Sequence, residues 1–104
     1  MAECKINAGI CGFETIVTVT SEDAQEAVIG MSTQCPSLKP LEQQPLTVDG
    51  FEVCFGKVGE GKIYGWCKEY CIHAACPVPS GIIKAVEVAC ELALPKDATI
   101  EISK

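Results

Sequence analysis

Eight cysteines stand in a chain of 104 residues that opens Met1-Ala2-Glu3-Cys4-Lys5-Ile6, with an acidic side chain and no apolar run. Such an opening is not an export signal, so the expected setting is cytoplasmic and reducing, where disulfides are rare. A chain in that setting has to hold together by burial instead of covalent staples. Its 48% apolar content is enough for a packed interior of its own. Cysteine enrichment of this degree in a reducing compartment points to metal, cluster or redox chemistry. Beside that stands the ordinary use of free cysteine as a small buried hydrophobe.

The length allows one domain, residues 1–104, and no second core. Fourteen acidic residues outnumber eight lysines, there is no arginine, and the net charge is −6. A basic stripe and planar phosphate recognition are both missing, which excludes nucleic acid and anionic membranes as expected partners. No stretch approaches the run of apolar residues that a membrane span requires. The partner class left open is another protein, including a second copy of the chain in a homodimer.

Residues Phe13 to Thr20, FETIVTVT, alternate and are rich in β-branched side chains, which predicts a half-buried strand with Phe13, Thr15, Val17 and Val19 on one face. Ser21-Glu22-Asp23 is a polar turn. Ala24 to Ser32 predicts a second strand with Ala27, Ile29 and Met31 inward, and the two should form an antiparallel hairpin. Pro36 in a first helical position would make Cys35 the N-cap of a short helix. Asp49 and Glu52 have capping-box spacing for a helix whose apolar side is Phe51, Phe55 and Val58, although Asp49-Gly50 could instead turn a hairpin. Residues 60–71 read as an amphipathic helix with Ile63, Trp66, Cys67 and Tyr70 inward. The clearest helix runs from Cys76 to Leu94, with Ile82, Ile83, Val86, Cys90 and Ala93 at helical spacing and Pro95 as its stop. Ala98 to Ser103 alternates again and predicts a closing strand with Ile100 and Ile102 inward. The order of elements argues for an α+β domain, an antiparallel sheet covered by helices on one face.

Cys11, Cys35 and Cys76 each stand where an element should begin, and such ends can gather at one edge of a two-layer sandwich. A helix N-terminus presents unpaired N–H groups and a positive dipole end, so Cys35 and Cys76 are expected to favour the thiolate. Thiolates bind Zn²⁺, iron and iron–sulfur clusters. Cys71 and Cys76 are five apart with His73, the single histidine, between them. The candidate metal site is therefore Cys11, Cys35, Cys71 and Cys76; His73 is read as a ligand replacing one of them, as a donor behind the ligands, or as an exposed loop histidine. Cys54 and Cys90 fit the core, Cys67 fits the core or a spare ligand, and Cys4 lies near a loose terminus.

These positions resemble the U-type iron–sulfur cluster assembly scaffold and the related N-terminal domain of nitrogenase-associated scaffold proteins. Cys11-Gly12 matches the first cluster-binding cysteine, Cys35 the second, and Cys76 followed by IIKAVEVA the third. The resemblance implies the two-layer sandwich of that family and an iron–sulfur cluster. Where the scaffold has an aspartate after its first cysteine this chain has Phe13. His73 is three residues upstream of Cys76 instead of adjacent to it, and the chaperone-docking Leu-Pro-Pro-Val-Lys stretch is missing. Ala75-Cys76-Pro77 also resembles small TSCPD-type domains, which implies metal binding. HAACPVPSGIIKAVEVA and LALPKD look like a small cysteine-containing family of anaerobic microbes, which implies no activity.

The leading expectation is a thiolate protein carrying an iron–sulfur cluster in a carrier, scaffold-like or electron-transfer role. The alternatives are a structural Zn²⁺ module for protein interaction and a thiol-redox or sulfur-transfer protein using Cys71 and Cys76. With no Ser–His–Asp arrangement, phosphate-cradling glycine loop or carboxylate dyad, the residues favour binding over catalysis.

Overall fold

The computed structural model describes residues 1–104. Four strands form an antiparallel meander in the order β1 (Ala2–Asn7), β2 (Glu14–Thr20), β3 (Glu26–Thr33) and β4 (Leu46–Asp49). A 3-10 segment, Lys39–Gln43, links β3 to β4, and three helices follow: α1 (Gly50–Cys54), α2 (Lys62–Lys68) and α3 (Val78–Ala89). The α+β architecture expected from the sequence is the one observed.

The registers stack the alternating residues into cross-strand rows on one face. Ala2 lies beside Val19, which lies beside Ile29 and then Leu46; Cys4 lies beside Val17 and Met31; Ile6 lies beside Thr15 and Thr33. Helix α3 lies across β1 and β2 on this face and reaches β3. Its buried residues, Val78, Pro79, Gly81, Ile82, Ala85 and Val86, recur at helical spacing, so a single stripe meets the sheet. Ile82 and Val86 are completely buried. The one polar row is self-satisfied, because the buried Thr15 and Thr33 hydroxyls bond each other at 2.8 Å.

Two glycines set how closely the layers approach. A Cβ on Gly81 would strike the Ile6 side chain, and one on Gly50 would stand 2.5 Å from the Cys90 sulfur and 3.1 Å from the Gln25 carbonyl. At the start of α1 the Asp49 carboxylate accepts the Phe51 and Glu52 N–H groups at 2.9 and 3.2 Å. The helical reading of this segment is therefore the correct one.

Several expectations are corrected. Residues 2–7 are strand β1 and not a loose terminus, so Cys4 is half-buried beneath α3. The stretch Leu46–Asp49 is a fourth strand, paired with β3. Cys35 caps no α-helix, since it leads into a turn and the 3-10 segment. Phe51, Phe55 and Val58 face solvent, at 46%, 72% and 91% exposure. Seating Gly50 against Cys90 rotates α1 so that Val53 points inward, and the rings of Phe51 and Phe55 stack outside at 6.1 Å.

Helix α3 stops at Ala89, short of Leu94. Glu91 takes a left-handed φ of 60° and the Leu92 N–H returns to the Glu87 carbonyl, the Schellman closure. The expected strand at Ala98–Ser103 is unpaired, with Ile100 and Ile102 exposed. The places beside the β2–β3 hairpin are already taken by β1 and β4.

Gly50→Ala is expected to destabilise the fold by about 1–3 kcal/mol, overcrowding outweighing the helix propensity gained. In urea denaturation the loss should shrink in a Cys90→Ala background, which makes room for the new methyl. Asp49 has its pKa lowered by the Gln25 side-chain amide and by the two N–H groups it caps, and Asp23 and Glu42 are lowered by backbone N–H groups. A lowered carboxylate contributes stability that is full above its ordinary value and is lost as pH falls through the folded one. Melting temperature should therefore drop below pH 3.8, the ordinary aspartate value. Asp49→Asn, which still caps, should flatten part of that drop.

Candidate thiol site

Helix α2 and the connection from residue 69 to 77 deliver three cysteines to one place. Cys67 and Cys71 are one helical turn apart, a spacing that puts side chains on one face. The Cys71 N–H continues the turn by bonding the Cys67 carbonyl at 2.7 Å. The chain then folds around the His73 carbonyl, which accepts the Cys76 N–H at 3.2 Å and the Cys71 thiol at 3.5 Å. Cys67, Cys71, His73 and Cys76 line an open pocket of about 250 Å³, with Tyr64 and Pro79 among its other walls.

Cys35 approaches the same cluster from the sheet, near enough to Cys76 for its charge to act there. Its backbone is held from both sides. The Cys35 N–H donates to the Thr33 hydroxyl at 3.1 Å, and its carbonyl accepts from Leu38 and Lys39. The Thr33 N–H in turn donates to the Glu42 carboxylate at 2.6 Å. The buried threonine pair thus anchors the segment that presents this cysteine.

Cys11 sits on the exposed connection between β1 and β2 and is not part of the pocket wall. That connection lies at the same end of the sheet as Cys35, because Glu14 at the start of β2 exchanges backbone and side-chain bonds with Gln34. It is also the end reached by the start of α3, since Gly81 rests on Ile6 near the close of β1. The element ends expected to gather do share one end of the sandwich. The pocket itself, however, takes Cys67 and not Cys11. The signal for Cys67 was available in its four-residue spacing from Cys71 on an amphipathic helix.

Electrostatics overturn the expectation of a favoured thiolate at Cys76. The Val78 N–H at the start of α3 does pull this thiol down, but burial dominates and the nearby Cys71 adds to it, so the value rises to about 11. Cys67 is pushed up to about 12 by burial, and by the neighbouring Cys71 and Cys76. Without a cation these sulfurs are held as thiols. All eight cysteines are free. No three of the Cys, His, Asp and Glu side chains stand close enough together to form a ready-made coordination sphere. The donor set is soft and suits soft metals, while its spacing is looser than a closed site.

Cys54 and Cys90 lie elsewhere, between α1 and α3. Burial raises both, Cys54 to about 11, and the Cys90 thiol donates to the Gln25 carbonyl at 3.9 Å. Cys90 behaves as core, and Cys54 is half-buried against it.

In metal-free protein at neutral pH, Cys67 and Cys76 should alkylate on the order of 100-fold more slowly than an exposed thiol. Peptide mapping of an iodoacetamide time course should find Cys11 modified well before either. A buried neutral thiol contributes stability that is full below its ordinary value of 9.0 and is lost as pH rises through the folded one. Alkaline unfolding should accordingly set in as pH approaches about 11.

No curated protein and no solved structure matches the chain. One family model does, over residues 2–102, and by that match the chain belongs to the family of unknown function DUF6951.

Proposed function

We propose that the protein binds a soft metal, foremost an iron–sulfur cluster, through cysteines of the α2–α3 region. The observation that carries this reading is that Cys67, Cys71 and Cys76 line one pocket, though not at ligand distance from one another, with Cys35 nearby and no disulfide in the chain. His73 supplies a further donor at the pocket wall. Cys67 is part of the packed core, as Cys90 is, whereas Cys35, Cys71 and Cys76 are half-buried at its margin.

The chemistry of binding follows from the neutral thiols. A thiol must lose its proton to become a ligand, so loading releases protons and affinity rises with pH. The Val78 N–H is aimed to support negative charge on Cys76 once the proton has gone. The segment 69–77 has to draw its sulfurs inward, and it is short and anchored at both ends by α2 and α3. A bound cluster would supply electron storage or a transferable iron–sulfur unit. The raised Cys76 thiol weighs against a fast thiol-redox pair with Cys71.

The test is metal and acid-labile sulfide content, with a visible spectrum, on protein purified without oxygen. Iron with matching sulfide is expected in the intact chain, and Cys71→Ser or Cys76→Ser should lower it at least tenfold. Cys11→Ser separates two ligand sets. Retained iron fits the pocket set, whereas loss as complete as in Cys76→Ser fits the scaffold-like set of Cys11, Cys35 and Cys76. Stoichiometric zinc whose chelation unfolds the protein would select a structural zinc module for protein interaction. A chain that takes up neither metal would sink the proposal.

A further inference from the structure

The sheet has two edges, and they are finished differently. At the β4 edge the strand is only four residues long, it follows Pro45, and the Lys62 ammonium donates to the Thr47 carbonyl at 3.3 Å. The β1 edge is six residues long with no strand beside it. Its outward-facing backbone groups form an open template for another strand.

Its inner face is packed under α3, with Ala2 and Ile6 buried and Cys4 partly open toward the edge. Cys4 is half-buried, and above Ile6 the helix offers Gly81, which has no side chain to extend past the edge. A strand laid alongside would therefore have to bring apolar side chains at alternate positions and a charge to meet Lys5.

The chain contains one unpaired segment of that description. Residues 98–103 read Ala-Thr-Ile-Glu-Ile-Ser, with Ile100 and Ile102 exposed at 81% and 90%. When Glu101 is set beside Lys5, Ile100 and Ile102 fall beside Cys4 and Ile6 in either strand direction. Asp97 is near enough to Cys4 to raise that thiol, so the segment leaves α3 on the β1 side of the molecule. Within its own chain it pairs with no strand.

We propose that residues 98–103 of one copy add as a fifth strand to the β1 edge of a second copy, giving a reciprocally exchanged homodimer. Pro95 marks the exit from the helix turn, and the stretch after it serves as the connecting arm. The exchange pairs both β1 edges and draws four isoleucines that a lone chain leaves in water onto the sheet. It stands independently of the thiol site.

Sedimentation across a concentration series tests it. The full chain should sediment as a dimer, and a chain ending at Lys96 should be monomeric with its fold retained by circular dichroism. Lys5→Glu or Glu101→Lys alone should weaken association by roughly tenfold, because like charges then lie opposite each other across the strands. The double exchange should recover most of the loss. A monomeric full chain would overturn the proposal, and so would a dimer that survives the truncation. A monomer in which the amides of 99–103 are protected from exchange would also overturn it, by showing that the segment pairs with its own β1.

Discussion

The seating of helix α3 on the inner face of the meander is the contact on which the rest depends. Its apolar stripe covers β1 and β2, and its two ends fix separate regions. At the start, Gly81 settles on Ile6 and places Cys76 beside α2. At the close, Cys90 presses on Gly50 and sets the rotation of α1. Both approaches need glycine, because a methyl at either point would separate the layers and loosen the cysteine cluster along with the core.

The site is a compromise between burial and charge. Burial keeps Cys67 and Cys76 neutral, and the α3 N-terminus, which by itself would favour a thiolate, offsets only part of that. The result is that Cys67 and Cys76 stay protonated at neutral pH. In water the dipole of a helix start would count for more. Here the cost of desolvating an anion wins because the thiols lie against the packed interior.

Much of the fold was legible from local pattern. Alternation in FETIVTVT and AVIGMS marked β2 and β3, helical spacing marked α2 and α3, and Asp49 marked the start of α1. The misses share a cause. Strand β1 alternates only through Ala2, Cys4 and Ile6, small or modest apolar residues between Glu3, Lys5 and Asn7. Its character comes from the neighbour it pairs with. The 98–103 segment carries a stronger strand pattern and is unpaired, because β1 and β4 already flank the hairpin. Phe51 and Phe55 looked inward by hydrophobicity, but α1 is too short to choose its own face and takes the rotation that Gly50 imposes.

By itself the sequence determined the class of fold and drew attention to the Cys71–Cys76 segment with His73. These follow from residue types and near-neighbour spacing, which any local conformation has to respect. Only the tertiary structure decided that Cys67 completes the pocket, that Cys11 stands apart on an exposed loop, and that Cys76 is held as a thiol. Those outcomes depend on how closely layers approach and how much water reaches each sulfur. Such quantities come into being when distant segments pack, so no window of sequence contains them.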